Sequence, residues 1–199
     1  MLDDRVRTVL RRLEEETERD DPTASTDERS LQVPPSSGAL LFALASGRPG
    51  CEVLELGGSR GYSTIWLGAA VRTHGGHVTS LEASPAKLEA SARNIADAGL
   101  EEWIDVIPGD DFVSLEALDG PWDLVFLDAW KNDYEPLFQL VRARLEPGAI
   151  VVADNVVSHD ELARYSSARQ ADPTLVSVTV PMDNGLEVTT VLTGGLLSG

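Results

Sequence analysis

Four residues in the second half of the chain have the types and spacing for chemistry on oxygen. Asp128 closes one apolar run, Asp154 and Asn155 close another, and Lys131 stands three residues after the first acid. Two carboxylates and an amide carbonyl form a hard, all-oxygen donor set. It suits Mg²⁺, or another oxygen-preferring divalent ion such as Ca²⁺ or Mn²⁺, and is ill matched to zinc or an iron–sulfur cluster. Three protein oxygens leave an octahedral ion about three open positions. An acceptor with two vicinal oxygens and one water would fill them, and the ion would make one hydroxyl acidic enough to act as a nucleophile. Lys131, one helical turn past Asp128, is placed to take the proton. A lysine can lose its own proton in a dry site beside a divalent cation, whereas an arginine cannot. Of the 16 basic residues only Lys87 and Lys131 are lysine, so the chain's bias toward arginine was resisted at two positions.

A second group of residues points to a nucleoside. The apolar run 51–56 carries Glu55 and ends in Gly57-Gly58-Ser59-Arg60-Gly61, after which Tyr62 opens a stretch with helical apolar spacing. Glycine is wanted in such a turn because it takes positive φ and lets backbone N–H groups approach a ligand. Glu82 follows Gly61 by twenty-one residues, about the distance at which dinucleotide folds place a ribose-binding acid. Ser59 occupies the place of a glycine in G-x-G-x-x-G, and no third glycine follows in register. The ligand implied has a ribose and no pyrophosphate.

These residues need a scaffold that gathers strand ends. Apolar runs alternate with amphipathic ones: strand 51–56, helix 61–72, strand 77–82, helix 85–98, strands 103–107 and 122–127, helix 133–145 and strand 148–153. That rhythm predicts a parallel sheet with helices on both faces. Helix 159–170 precedes two Val/Thr-rich runs, 174–180 and 186–193, whose connection is short enough to require an antiparallel hairpin. Upstream, residues 2–19 carry Val6, Val9, Leu10 and Leu13 at helical spacing, a stripe for the domain or for a partner. A loop over 20–35 leads to a helix through about residue 45, with Ser36 and Ser37 offering its N-cap. The whole reads as a single domain, 1–199, with an N-terminal helical cap over 1–47 and a core over 51–195. In open α/β sheets ligands bind beyond the carboxyl ends of the strands. An acid stands at five such ends: Glu55, Glu82, Asp110 with Asp111, Asp128 and Asp154.

Composition narrows the partners. With 33 acidic residues against 16 basic ones the formal charge is −17, which repels nucleic acid and anionic membrane. No apolar run approaches the roughly twenty residues of a membrane span, and the first residues lack a signal-peptide core, so a cytoplasmic setting is expected. The lone Cys51 forms no internal disulfide and belongs to the core.

The glycine turn, Glu55-Leu56-Gly57-Gly58-Ser59-Arg60-Gly61-Tyr62-Ser63, resembles the first motif of class I S-adenosylmethionine (SAM) methyltransferases, in the Gly-Tyr-Ser version of small metal-dependent O-methyltransferases. Phe126 to Tyr134 is similar to the Asp-x-Trp-Lys-x-x-Tyr stretch of catechol O-methyltransferases, and Val152-Ala153-Asp154-Asn155-Val156 resembles their Asp-Asn metal motif. The likeness runs from about Val33 to Gly195. It implies a Rossmann-like fold with a mostly parallel seven-stranded sheet. It implies SAM as donor, held by Glu55, Gly57, Gly58, Ser59, Gly61, Tyr62, Ser63 and Asp128, with Glu82 on the ribose, Asp110 near the adenine and Trp130 on the cofactor's border. It places the segment before residue 45 beside the cofactor and the mouth of the site.

Two departures bear on the acceptor. Catechol enzymes carry an acid in the penultimate strand; the equivalent position here is Val178, and 174–180 contains none. After Asn155 the chain continues Val-Val-Ser-His-Asp, without the glycine and aromatic residues of many relatives' substrate loops. His159 is within reach of a metal or substrate role, but its helix-start position beside Asp160 and Glu161 favours solvent. The expectation is a Mg²⁺-assisted O-methyltransferase acting on a small vicinal diol, with Lys131 as base. A metal-independent class I methyltransferase and a non-catalytic SAM-binding protein are the alternatives. A homodimer through the N-terminal helix or the terminal hairpin is left open.

Overall fold

The computed structural model describes residues 2–109 and 111–192. Helix α1 (Asp4–Thr17) starts where Asp3 accepts a hydrogen bond from Val6 N at 2.9 Å, the usual N-cap economy of an otherwise orphaned amide. Its stripe of Val6, Val9, Leu10 and Leu13 is buried in the domain's own core. Arg5 reaches the carbonyls of Ala96 and Asp97, and Arg12 reaches Asn94 and Asp97. Helix α2 (Pro35–Ser46) begins with Pro34 as N-cap and Pro35 in the first turn. Ser36 and Ser37, expected to cap the helix, thus lie two and three residues past the actual cap. Both hydroxyls instead donate to Asp183, Ser37 at 2.9 Å, tying the helix to the distant hairpin turn.

The sheet has the strand order β3-β2-β1-β4-β5-β7-β6. Its members are β1 (Glu52–Leu56), β2 (His77–Glu82), β3 (Ile104–Pro108), β4 (Trp122–Leu127), β5 (Leu145–Ala153), β6 (Leu175–Val180) and β7 (Leu186–Val191). β1 to β5 are parallel, and β7 pairs antiparallel with both β5 and β6. Crossing helices are α3 (Tyr62–Val71), α4 (Pro85–Ala98), α6 (Tyr134–Arg142) and α7 (Ala163–Ala171). Alternation along the strands feeds two cores. Val53, Leu124, Phe126 and Val152 face α1 to α4, whereas Leu54, Leu56, Val125 and Val151 face α6 and α7.

Three boundaries differ from the periodicity. A six-residue helix, α5 (Asp111–Glu116), sits between β3 and β4, too short to leave a helical signature. The turn Lys131–Asp133 is 3₁₀, and α6 then stops at Arg142. β5 starts early because buried Leu145 pairs with Trp122 across a register shift before Leu124, and Gly148 at φ 89° absorbs the irregularity. Among the described residues no helix is long and apolar enough to cross a membrane. Strand order reverses between β1 and β4, the point where such sheets open a crevice.

Candidate active site

A cleft of about 860 Å³ opens at that point, over the carboxyl ends of the strands. Its floor is the glycine turn. Gly57 N and Gly58 N both donate to Leu81 O, at 3.1 and 3.0 Å. Gly57 has φ +95°, and a Cβ there would lie 2.3 Å from the backbone oxygen of Asp128. Gly57→Ala is therefore expected to cost about 2 kcal/mol of stability and to weaken donor binding. Denaturant titration beside calorimetry checks both, and a parental midpoint would mean that the turn relaxes freely.

Ser59, at φ +48°, donates its N–H to Glu82 Oε2 at 2.7 Å, while Ser84 N donates to Oε1 at 2.7 Å. The carboxylate of Glu82 is thus locked between two turns with its remaining lone pairs turned toward the cleft it lines. Ser59 Oγ donates to Ser30 O, and Arg60 donates to Glu28 O and Ser30 Oγ, which pins the 20–32 loop along the mouth. Asp20, Arg29, Leu31 and Gln32 of that loop line the cleft. Only the resemblance, and no local pattern, pointed to that segment.

Other members of the motif serve the turn from behind. Glu55 is fully buried and accepts from Thr64 Oγ1 and, at 2.6 Å, from Ser80 Oγ. Burial pushes its carboxyl up, against the pull of these hydroxyls. It braces the turn and is not among the residues that line the cleft. Gly61 caps α3 at φ +88°, where a Cβ would meet Ser91 Oγ of α4 at 2.8 Å, so this glycine permits helix packing. Tyr62 turns to α1, donating to Glu14 Oε1 at 2.6 Å, and burial raises its phenol. Gly58, Tyr62 and Ser63 line a small hollow beneath the turn. Asp110 lies outside the described residues.

The metal candidates and the lysine converge on the same cleft. Asp128 Oδ1 accepts from Lys131 Nζ and from Asn155 Nδ2, each at 3.0 Å. Lys131 Nζ also donates to Ala129 O at 3.2 Å and to Tyr134 Oη at 3.0 Å. Asp154 is 2% exposed, and its Oδ1 has no hydrogen-bond partner among the described residues. Burial first, and then the charge of Asp128, push its carboxyl up to about 7. No three His, Cys, Asp or Glu side chains converge as a metal set among the described residues. The trio at hand is two carboxylates and an amide, an all-oxygen set in which one buried carboxylate oxygen has no donor among the described residues. Trp130, 71% exposed, forms part of the rim.

Residues 54–156 match the family model described as a methyltransferase domain. A catechol O-methyltransferase of Niastella koreensis is 34% identical over 146 residues, 71% of this chain and 66% of that protein. One of Mycobacterium tuberculosis is 32% identical over 169 residues, 83% of this chain and 76% of that protein. The chain belongs to the class I SAM-dependent O-methyltransferases. The O-methyltransferase TomG of Streptomyces achromogenes, solved in complex with SAM, superposes with a TM-score of 0.79 at 25% identity, over 96% of this chain and 91% of that one.

Three further features of this methyltransferase concern the walls of the cleft and the hairpin beside it. Tyr134 is buried and supports Lys131 from below, a role that its spacing in Asp-x-Trp-Lys-x-x-Tyr signals in retrospect. His159 lines the cleft, with Nδ1 2.9 Å from Ser158 Oγ, rather than facing bulk solvent alone. On β6, Val178 is exposed, while Ser177 and Thr179 donate to Glu187 at 2.6 Å each and Gln170 adds a third bond at 2.9 Å. The hairpin's buried acid is therefore consumed beneath α7 and is not among the cleft's lining residues.

Proposed function

We propose that this methyltransferase transfers the methyl group of SAM to a hydroxyl of a small molecule bearing vicinal oxygens, with a divalent ion held by Asp128, Asp154 and Asn155. The observation that carries the reading is the buried Oδ1 of Asp154, unpartnered among the described residues, in the same cleft as Glu82 and the glycine turn. Such an ion would supply Lewis acidity to the acceptor hydroxyl. The protein's own work is alignment and exclusion of water. Gly57, Ser59 and Glu82 fix the donor, and Asp128 joins that wall to the acceptor side. Lys131 takes the hydroxyl proton as the oxygen bonds to the methyl carbon and the sulfur–carbon bond breaks. The products are a methyl ether and S-adenosylhomocysteine (SAH).

A metal-independent transfer is the second reading, favoured by the two donors already on Asp128 Oδ1 and by the lack of an acid on β6. Transfer of labelled methyl to a panel of catechols and aliphatic diols, with Mg²⁺ and with excess chelator, separates the two. Product is expected to fall about a hundredfold with chelator, the equivalent of roughly 3 kcal/mol of lost Lewis-acid stabilisation. Chelator-resistant product would assign the acids to direct acceptor binding.

A further inference from the structure

The reaction outlined above uses one of the chain's two lysines. The other lines the same cleft. Lys87 lies in the first turn of α4, three residues past the N-cap Ser84, and its side chain is grouped with Glu82, Ala83, Ser84, Asp111 and Phe112 along one wall. Side chains of a helix lean toward its N-terminus, which here carries the ammonium to the ends of β2 and β3.

Two local effects, burial and the helix dipole, disfavour a cation at this place. Lys87 is 8% exposed, and partial desolvation of a charge is costly. Its ammonium has no hydrogen bond or ion pair among the described residues, in contrast to Lys131 with its three acceptors. It also sits at the positive end of the helix dipole, where a cation is unfavourable. A residue kept against desolvation, dipole and an arginine-rich composition answers to a ligand.

We infer that Lys87 is a donor-binding residue, its ammonium hydrogen-bonding the adenosine end of SAM. The inference rests on the reading that SAM occupies this cleft. The chemistry of the wall selects a nucleoside over a phosphate, because a phosphate would face the carboxylates of Glu82 and Asp111. A neutral nucleoside offers both partners at once: hydroxyls that donate to Glu82, and ring nitrogens and ether oxygen that accept from Lys87. As the nucleoside shuts water out, the Lys87 cation also balances the Glu82 carboxylate that becomes desolvated beside it.

Lys87→Met tests this, because it keeps the apolar stem and removes only the charge. Calorimetry with the full chain measures the affinity for SAH and for methylthioadenosine, which lacks the amino-acid end. The variant is expected to bind both about tenfold more weakly, the worth of one hydrogen bond to a charged group. The ligand-free variant is expected to melt no lower than the parent. A side chain that merely covers the core would leave both affinities unchanged, and that result in a folded variant overturns the inference. Loss for SAH alone would overturn the adenosine placement. Should Lys87→Met not fold, Lys87→Gln supplies the same comparison. A parent that binds neither ligand removes the donor reading itself, whereas a parent that binds while the variants match it removes only the role of Lys87.

Discussion

Asp154→Ala is expected to lower methyl transfer about a hundredfold, as far as chelation does, while SAH binds as tightly as to the parent. The asymmetry follows from position. Asp154 follows β5, whereas the donor contacts proposed above come from the turn after β1 and from Glu82. Its Oδ1 is buried without a partner among the described residues, so in the ligand-free protein this carboxyl contributes strain rather than stability. The carboxyl is raised from 3.8 to about 7, and the sign of the consequence is fixed by linkage. Between those values the unfolded chain has released the proton and the folded chain has kept it. Stability of the ligand-free protein therefore falls as pH rises from about 4 to about 7, and this contribution is level above that. Asp154→Asn should flatten the fall, and Mg²⁺ at pH 8 should stabilise the parent and not the variant. Melting curves across that range, with and without Mg²⁺, check each part. Parental turnover in Asp154→Ala, or a Mg²⁺-induced shift that survives in Asp154→Asn, would remove the metal from this site.

What the sequence discloses here depends on whether a signal is repetitive or directional. The strands of the sheet are short apolar runs separated by long amphipathic ones, and the hairpin is dictated by a connection of only five residues between Val180 and Leu186. Such signals survive without coordinates. α5 does not, because six residues hold fewer than two turns of periodicity. The glycine turn shows the other limit. A motif names Gly57, Gly61, Tyr62 and Glu55 together, yet the fold sends them in different directions. Gly57 faces the cleft, Gly61 lets α4 approach, Tyr62 reaches back to Glu14, and Glu55 braces the turn from within. Composition gave the more durable hint: both lysines of the chain line one cleft. Ser36 and Ser37 mark the opposite case, since the partner of their hydroxyls, Asp183, lies more than 140 residues away and no local pattern predicts it.

Lys131→Arg should reduce turnover by about a hundredfold or more although it keeps the positive charge. Three acceptors define the place of the ammonium: Asp128 Oδ1, Ala129 O and Tyr134 Oη, all within 3.2 Å. A compact amine with three rotatable donors fits that cup, whereas a planar guanidinium has the wrong fork and cannot release a proton to become a base. A cation bound to Asp128 would compete with Lys131 for Oδ1, turning the amine from an ion-pair partner toward the acceptor. Two substitutions separate charge from proton transfer. If the lysine only balances Asp128 and Asp154, arginine should rescue much of the activity that methionine loses. If it takes the acceptor's proton, Lys131→Arg and Lys131→Met should fall alike in kcat, with SAH affinity held at the parent's. Acceptors of lower hydroxyl pKa should then recover rate in both variants, because a hydroxyl already ionised needs no base. Activity of Lys131→Arg near the parent's, across acceptors of differing acidity, would leave Lys131 with a purely electrostatic role.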